Sequence, residues 1–148
     1  MGHSEAGKST IVKMLRDRAK VLCDDRIIVR KWPEGFRIHG TWGHGEIPDV
    51  SPDSAPLDAL FFLEKAEKNE LIRITDRQAA LTRLWACLIK GFMAEGWWDK
   101  ILPLIEAVAR EIPCYRLLFD KSGAVVGLLD GLAPGKTGRN TPGGPGPG

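Results

Sequence analysis

The sequence predicts an α/β fold organised around a phosphate-binding loop at its first residues, and three observations carry that prediction. Gly2-His3-Ser4-Glu5-Ala6-Gly7-Lys8-Ser9-Thr10 fits the spacing G-x-x-x-x-G-K-[ST]. In such a loop glycines let backbone N–H groups turn inward around an anion, a lysine reaches the terminal phosphates and a hydroxyl completes the shell of a magnesium ion. Ile11, Val12, Met14, Leu15 and Ala19 then recur at helical spacing, with Lys13, Arg16, Asp17, Arg18 and Lys20 mostly between them. An amphipathic helix opening at the loop points its free N–H groups and positive dipole end at the anion. Finally, Asp24-Asp25 follows the apolar run Val21-Leu22-Cys23. A short strand there places two carboxylates at the carboxyl edge of a sheet, where α/β proteins bind ligands.

Composition is compatible with one globular core. The chain has 148 residues, 43% hydrophobic and 27% charged, and a formal charge of +2 from 21 basic and 19 acidic side chains. No concentrated Lys/Arg block marks a nucleic-acid or membrane surface. Cys23, Cys87 and Cys114 stand far apart in apolar runs, which fits buried thiols in a reducing cytosol rather than a disulfide framework or a metal clip. No apolar run approaches the roughly 20 residues needed to cross a bilayer. The expectation is a cytoplasmic protein with neither nucleic acid nor membrane as partner.

The remaining elements follow in order. Ile27–Lys31 and Phe36–His39 flank Trp32-Pro33-Glu34-Gly35, a turn signal, and read as a hairpin. Residues 40–56 are rich in Gly, Pro, Ser and Asp without a sustained period, which reads as a long loop. Ala59-Leu60-Phe61-Phe62-Leu63, ended by Glu64-Lys65, has the pattern of a strand buried on both faces, and Leu71–Ile74 is a weaker extended piece. Thr75-Asp76-Arg77-Gln78 offers a capping-box start to a helix with an apolar stripe from Ala80 to Phe92, ending near Met93. A further helix is expected over 97–111, with Pro103 in its first turn or at a kink. Cys114–Phe119 and Ala124–Leu129 around Asp120-Lys121-Ser122-Gly123 read as a terminal hairpin, and from Gly131 the Gly/Pro-rich chain has almost nothing to bury.

Chemistry gathers on a few of these residues. Within the loop, Gly2, Ser4, Glu5, Ala6, Gly7, Lys8, Ser9 and Thr10 are the nucleotide-binding candidates, although Glu5 puts a carboxylate where kinases commonly have glycine. Of the two aspartates, one could hold magnesium while the other takes a proton from an attacking hydroxyl. Adjacent strand residues point to opposite faces, so Asp24 and Asp25 should not share one role. His39, His44 and Glu46 lie close in sequence but match no common zinc spacing. The absence of an N-K-x-D base-reading element weighs against a GTPase.

Three stretches taken together, Gly2–Thr10, Val21-Leu22-Cys23-Asp24-Asp25-Arg26 and Gly40-Thr41-Trp42-Gly43-His44-Gly45-Glu46 followed by Ser54-Ala55-Pro56-Leu57, resemble the C-terminal catalytic domain of HPr serine kinase, whose core is similar to ATP-dependent phosphoenolpyruvate carboxykinase. The resemblance runs on through Phe61-Phe62-Leu63-Glu64, Asn69 and Pro113–Leu117. It implies an ATP-dependent, serine-kinase-like phosphotransferase with ATP and Mg2+ as cofactors. Lys8, Asp24 and Asp25 would be catalytic, Ser9 and Asp24 metal-holding, and Glu46 a residue of the active-site loop. Trp42 stands where the family pattern has proline.

The corresponding division of the chain is a nucleotide-binding domain over 1–130 that lacks its first strand, and a disordered tail over 131–148. The expected partners are a nucleotide and a protein or small-molecule hydroxyl acceptor, and a homo-oligomer is compatible with the reading. The alternative is a non-catalytic nucleotide-binding or interaction module, such as a truncated inactive homologue.

Overall fold

Alternating apolar side chains on one short parallel strand pair decide how the layers stack. The computed structural model describes residues 1–2, 6–43, 45–89 and 95–132. It is a mixed α/β chain with two three-stranded sheets. In chain order the elements are α1 (Lys8–Leu15), β1 (Ile28–Trp32), β2 (Gly35–His39), β3 (Ser54–Pro56), β4 (Leu60–Lys65), β5 (Glu70–Ile74), α2 (Arg77–Cys87), α3 (Trp97–Glu111), β6 (Cys114–Phe119) and α4 (Val125–Asp130).

The larger core is built on the sheet ordered β4-β6-β5, with β6 parallel to β4 and antiparallel to β5. Successive strand residues point to opposite faces. Leu60, Phe62 and Cys114 therefore enter one cluster, with Ala80 and Leu84 of α2 and Ala107 and Val108 of α3. Leu117 and Phe119 enter the other, with Ile11 of α1 and Val125 of α4, and Phe61, Leu63 and Leu71 pack on its margin. Helices consequently cover both faces, as the uninterrupted apolar run of β4 anticipates. The second sheet, β1-β2-β3, is antiparallel throughout and closes the first cluster through Phe36 and the following Leu57.

Two contacts fix Met1 and Gly7, on either side of the candidate loop, to this sheet. The Met1 amine donates to Phe61 O, and Leu63 N donates to Met1 O at 2.9 Å, so Met1 lies in parallel register beside Phe62 at the outer edge of β4. Burial pushes the pKa of that amine down. At the other end of the loop, the Phe119 ring and the Lys65 stem pack against Gly7.

Several expectations are met in detail: the β1–β2 hairpin, β4, β5 and the span of α3. Others are corrected. Val21–Cys23 belongs to no strand; Leu22 O accepts a single hydrogen bond from Ser51 N at 2.9 Å, a loop contact rather than a ladder. Residues 124–129 form α4 instead of the return strand of a hairpin. Asp120 Oδ1 accepts from both N and Oγ of Ser122, and Gly123 at φ 84° turns the chain so that fully buried Val125 packs with Leu117 and Phe119. A short apolar run fits a buried strand or a buried helix equally well, and here the turn chemistry decides.

Helix α1 ends at Leu15, whose carbonyl accepts from the amides of Arg18 and Ala19. Helix α2 is capped by Asp76, which accepts from Gln78 N, and ends at Cys87. The expected extension towards Met93 runs into residues 90–94, outside the described ones. Pro103 falls beyond the first turn, inside α3. The end of the 40–56 loop contributes β3, which pairs with β2. Most of the Gly/Pro-rich tail, 133–148, lies outside the described residues.

Candidate functional site

The carboxyl ends of the parallel strands β4 and β6 meet the start of α1. There Gly7, Lys8, Ser9 and Thr10 form one wall of a cleft of about 550 Å³, and Asp24, Asp25, Gly45, Glu46 and Lys65 complete it. Gly7 is the N-cap of α1 at φ 90°, in the left-handed region where a side chain is strained. A Cβ on Gly7 would also lie 2.5 Å from Phe119 Cζ. Gly2 is constrained by space instead, since a Cβ there would meet that of Ala6 at 2.5 Å. Both glycines of the motif therefore serve close approach of the backbone. Ile11 N donates to Gly7 O at 3.0 Å, and Lys8 Nζ reaches back to Gly2 O at 3.1 Å.

The two aspartates separate sharply. Asp24 is 7% exposed; its Oδ1 accepts from Gly45 N at 2.7 Å and its Oδ2 from Ile47 N at 2.9 Å. It thereby fastens the backbone at Gly45 and Ile47 to the segment that carries the two aspartates. Asp25 is exposed, lines the cleft and stands 3.3 Å from Arg26 Nε. The loop is also held by Cys23 Sγ, which donates to Gly43 O at 2.9 Å, and by Thr41 Oγ1, which donates to Arg26 O at 2.9 Å. Glu46 sits at the rim with its carboxylate 3.7 Å from Lys13 Nζ.

Of the residues nominated from sequence, Gly7, Lys8, Ser9, Thr10, Asp24, Asp25 and Glu46 all line this cleft. Gly2 borders a neighbouring cleft of about 590 Å³ that shares Lys8 and Asp25 but is lined chiefly by apolar side chains such as Leu60, Leu84, Leu104 and Val108. Ala6 lies beside Gly2 outside the cleft wall, and Ser4 and Glu5 fall outside the described residues, as do His3 and His44. Among the described residues no group of three or more His, Cys, Asp or Glu side chains could hold a metal ion. Hard oxygens along the cleft belong to the hydroxyls of Ser9 and Thr10 and to the carboxylates of Asp24, Asp25 and Glu46, and both oxygens of Asp24 already accept backbone amides. Such oxygens suit an ion that keeps several waters and takes further ligands from substrate phosphates.

Two contributors escape the motif search. Lys65, which in sequence merely ends an apolar run, lines the cleft. Phe119 comes from a different strand and supports Gly7 from below. Position at the carboxyl end of a buried parallel strand was the available signal for both.

No family model matches the chain, and neither the curated proteins nor the solved structures compared with it include a significant match. Among the described residues, no helix is long and apolar enough to cross a membrane.

Proposed function

We propose that the chain is an ATP-dependent phosphotransferase of the HPr-serine-kinase-like type, built on a phosphate-loop core. The observation that supports it best is the convergence of Gly7–Thr10, Asp24, Asp25 and Glu46 on one cleft, from segments up to about forty residues apart in the chain. Lys8 and the first-turn amides of α1 hold the phosphates of ATP. Ser9 and Asp24 hold the magnesium ion, which neutralises phosphate charge when bound. Asp25, exposed at the mouth, accepts the proton of an acceptor hydroxyl. Arg26 pairs with that carboxylate at 3.3 Å, and Glu46 closes the cleft from the loop side.

The test is magnesium-ATP titration by calorimetry together with phosphoryl transfer to candidate hydroxyl acceptors. Lys8→Ala should lower turnover by about 100-fold or more, and Asp25→Asn by about 100- to 10,000-fold. Unchanged turnover in both variants would sink the assignment.

A second reading draws on the bonding of Asp24. Both of its oxygens already serve backbone amides, which suits a module that binds nucleotide without transferring phosphate. Tight magnesium-ATP binding with no phosphoryl transfer to any acceptor would favour that module.

A further inference from the structure

We propose that Lys65 is a second phosphate-holding residue of the cleft, whose ammonium takes the phosphate chain of a nucleoside triphosphate from the β4 side of the Gly7 turn. The inference rests on reading the cleft as a nucleotide site. Its observations are separate from the motif.

Lys65 is the last residue of β4 and pairs in register with Phe119, the last residue of β6. Alternation puts it on the same sheet face as Phe61 and Leu63, which pack towards α1. Its stem reaches the turn: Lys65 Cε lies 3.5 Å from the position a Cβ of Gly7 would occupy. Lys65 thus approaches the Gly7 turn from the sheet, and it lines the same cleft as Lys8 of the helix.

Its ammonium also has no competing engagement. Lys13, Lys20, Lys31 and Lys68 each stand against a carboxylate, and Lys8 Nζ donates to Gly2 O. Among the described residues, Lys65 has no ion pair or hydrogen bond. The strand end places the backbone of Lys65 at the cleft, and its stem lies along the Gly7 turn. One lysine and one divalent ion leave part of the charge of a triphosphate uncompensated, and an ionic hydrogen bond from a second ammonium supplies that charge.

The experiment titrates magnesium-ATP and, separately, inorganic tripolyphosphate into the full chain, into Lys65→Met and Lys65→Arg, and into Lys68→Met as a surface control. Lys65→Met should weaken both ligands about tenfold or more. Its KM for magnesium-ATP should rise while kcat changes less, and Lys65→Arg should retain most of the affinity. The melting temperature should stay put, since Lys65 is exposed. Wild-type affinity for magnesium-ATP in Lys65→Met, alongside lost affinity in Lys8→Ala, would overturn the role of Lys65 and leave the nucleotide reading standing. Failure of the wild-type chain to bind magnesium-ATP would instead remove the nucleotide reading. Tripolyphosphate then decides Lys65 alone: binding that disappears in Lys65→Met keeps it as an anion-holding residue, and binding that is absent or unaffected overturns it.

Discussion

The β4–β6–β5 sheet with its helices and the paired segments 21–27 and 40–53 are held together by different physics. In the first, stability comes from volume: Leu60, Phe62, Leu117, Phe119 and Val125 are buried on two faces of three strands. In the second, few large side chains are buried, Ile47 among them, and the backbone is fixed by directed polar contacts. These include Asp24 to the amides of Gly45 and Ile47, Cys23 to Gly43, and Ser51 N to Leu22 O. The candidate site lies on the seam between the two. The sheet end presents Lys65 beside Gly7 at the head of α1, while the polar-tethered segments present Asp25 and Glu46. Packing is close to non-directional, whereas a hydrogen bond is lost with one atom. The two regions should therefore fail in different ways.

The largest stability effect is expected in the sheet. Leu117 is 1% exposed at the centre of its cluster. Leu117→Ala should cost about 2–5 kcal/mol through lost burial and the cavity left behind. Chemical denaturation with the slope held constant measures it. A cost under about 1 kcal/mol would mean that this half is not held by packing.

Next comes the tether. Asp24→Ala leaves two backbone donors without their acceptor, at a cost of about 1–3 kcal/mol for each group that stays dry. The opened loop lets water replace part of that loss, so the net effect should fall below that of Leu117→Ala. Amide exchange should rise at Gly45 and Ile47 before it rises in β6. Equal protection in both regions would erase the contrast.

A smaller effect is expected where the sheet itself uses charge. Glu64 receives a two-pronged contact from Arg116, Nε to Oε1 at 2.8 Å and Nη2 to Oε2 at 2.6 Å, and Arg83 of α2 adds a third bond at 3.0 Å. The Arg116 hydrogen bonds hold the Glu64 carboxyl below its ordinary value of 4.5, with Arg83 assisting and burial opposing. A depressed folded pKa contributes stability that is present above the unfolded value and lost as pH falls through the folded one. The group is only half-buried, so Glu64→Gln should cost about 1 kcal/mol near neutral pH. Wild type and variant should converge in stability below pH 4.5. A gap that persists undiminished in acid would assign the effect to shape rather than charge.

The smallest effect belongs to the surface pair Lys13–Glu46, whose side chains are 64% and 71% exposed. Lys13→Ala should change the melting temperature by no more than the error of the measurement.

Much of this was legible in local pattern. The loop spacing, the β1–β2 hairpin, the buried run of β4 and the span of α3 each follow from a few neighbouring side chains, because period and turn chemistry are local properties. The site was legible only as an inventory. Asp24-Asp25 could be named as a pair, but nothing in two adjacent aspartates says which one is buried. The amides of Gly45 and Ile47, twenty-odd residues away, bury Asp24 at the cleft wall and leave Asp25 exposed. Residues 124–129 show the same limit. Their apolar run fitted a strand until Gly123 and the bonds of Ser122 to Asp120 turned it into α4.

The sequence by itself determined that glycines, a lysine and two hydroxyls would stand at the head of a helix, because spacing along one chain segment is all such a loop requires. Only the tertiary structure decided what faces it. Lys65 and Phe119 come to Gly7 because β4 and β6 run parallel and end at the same height. Asp24 turns inward because its carboxylate meets two loop amides. Those are contacts between segments distant in sequence, and their selection depends on how apolar faces pack, which no local pattern encodes.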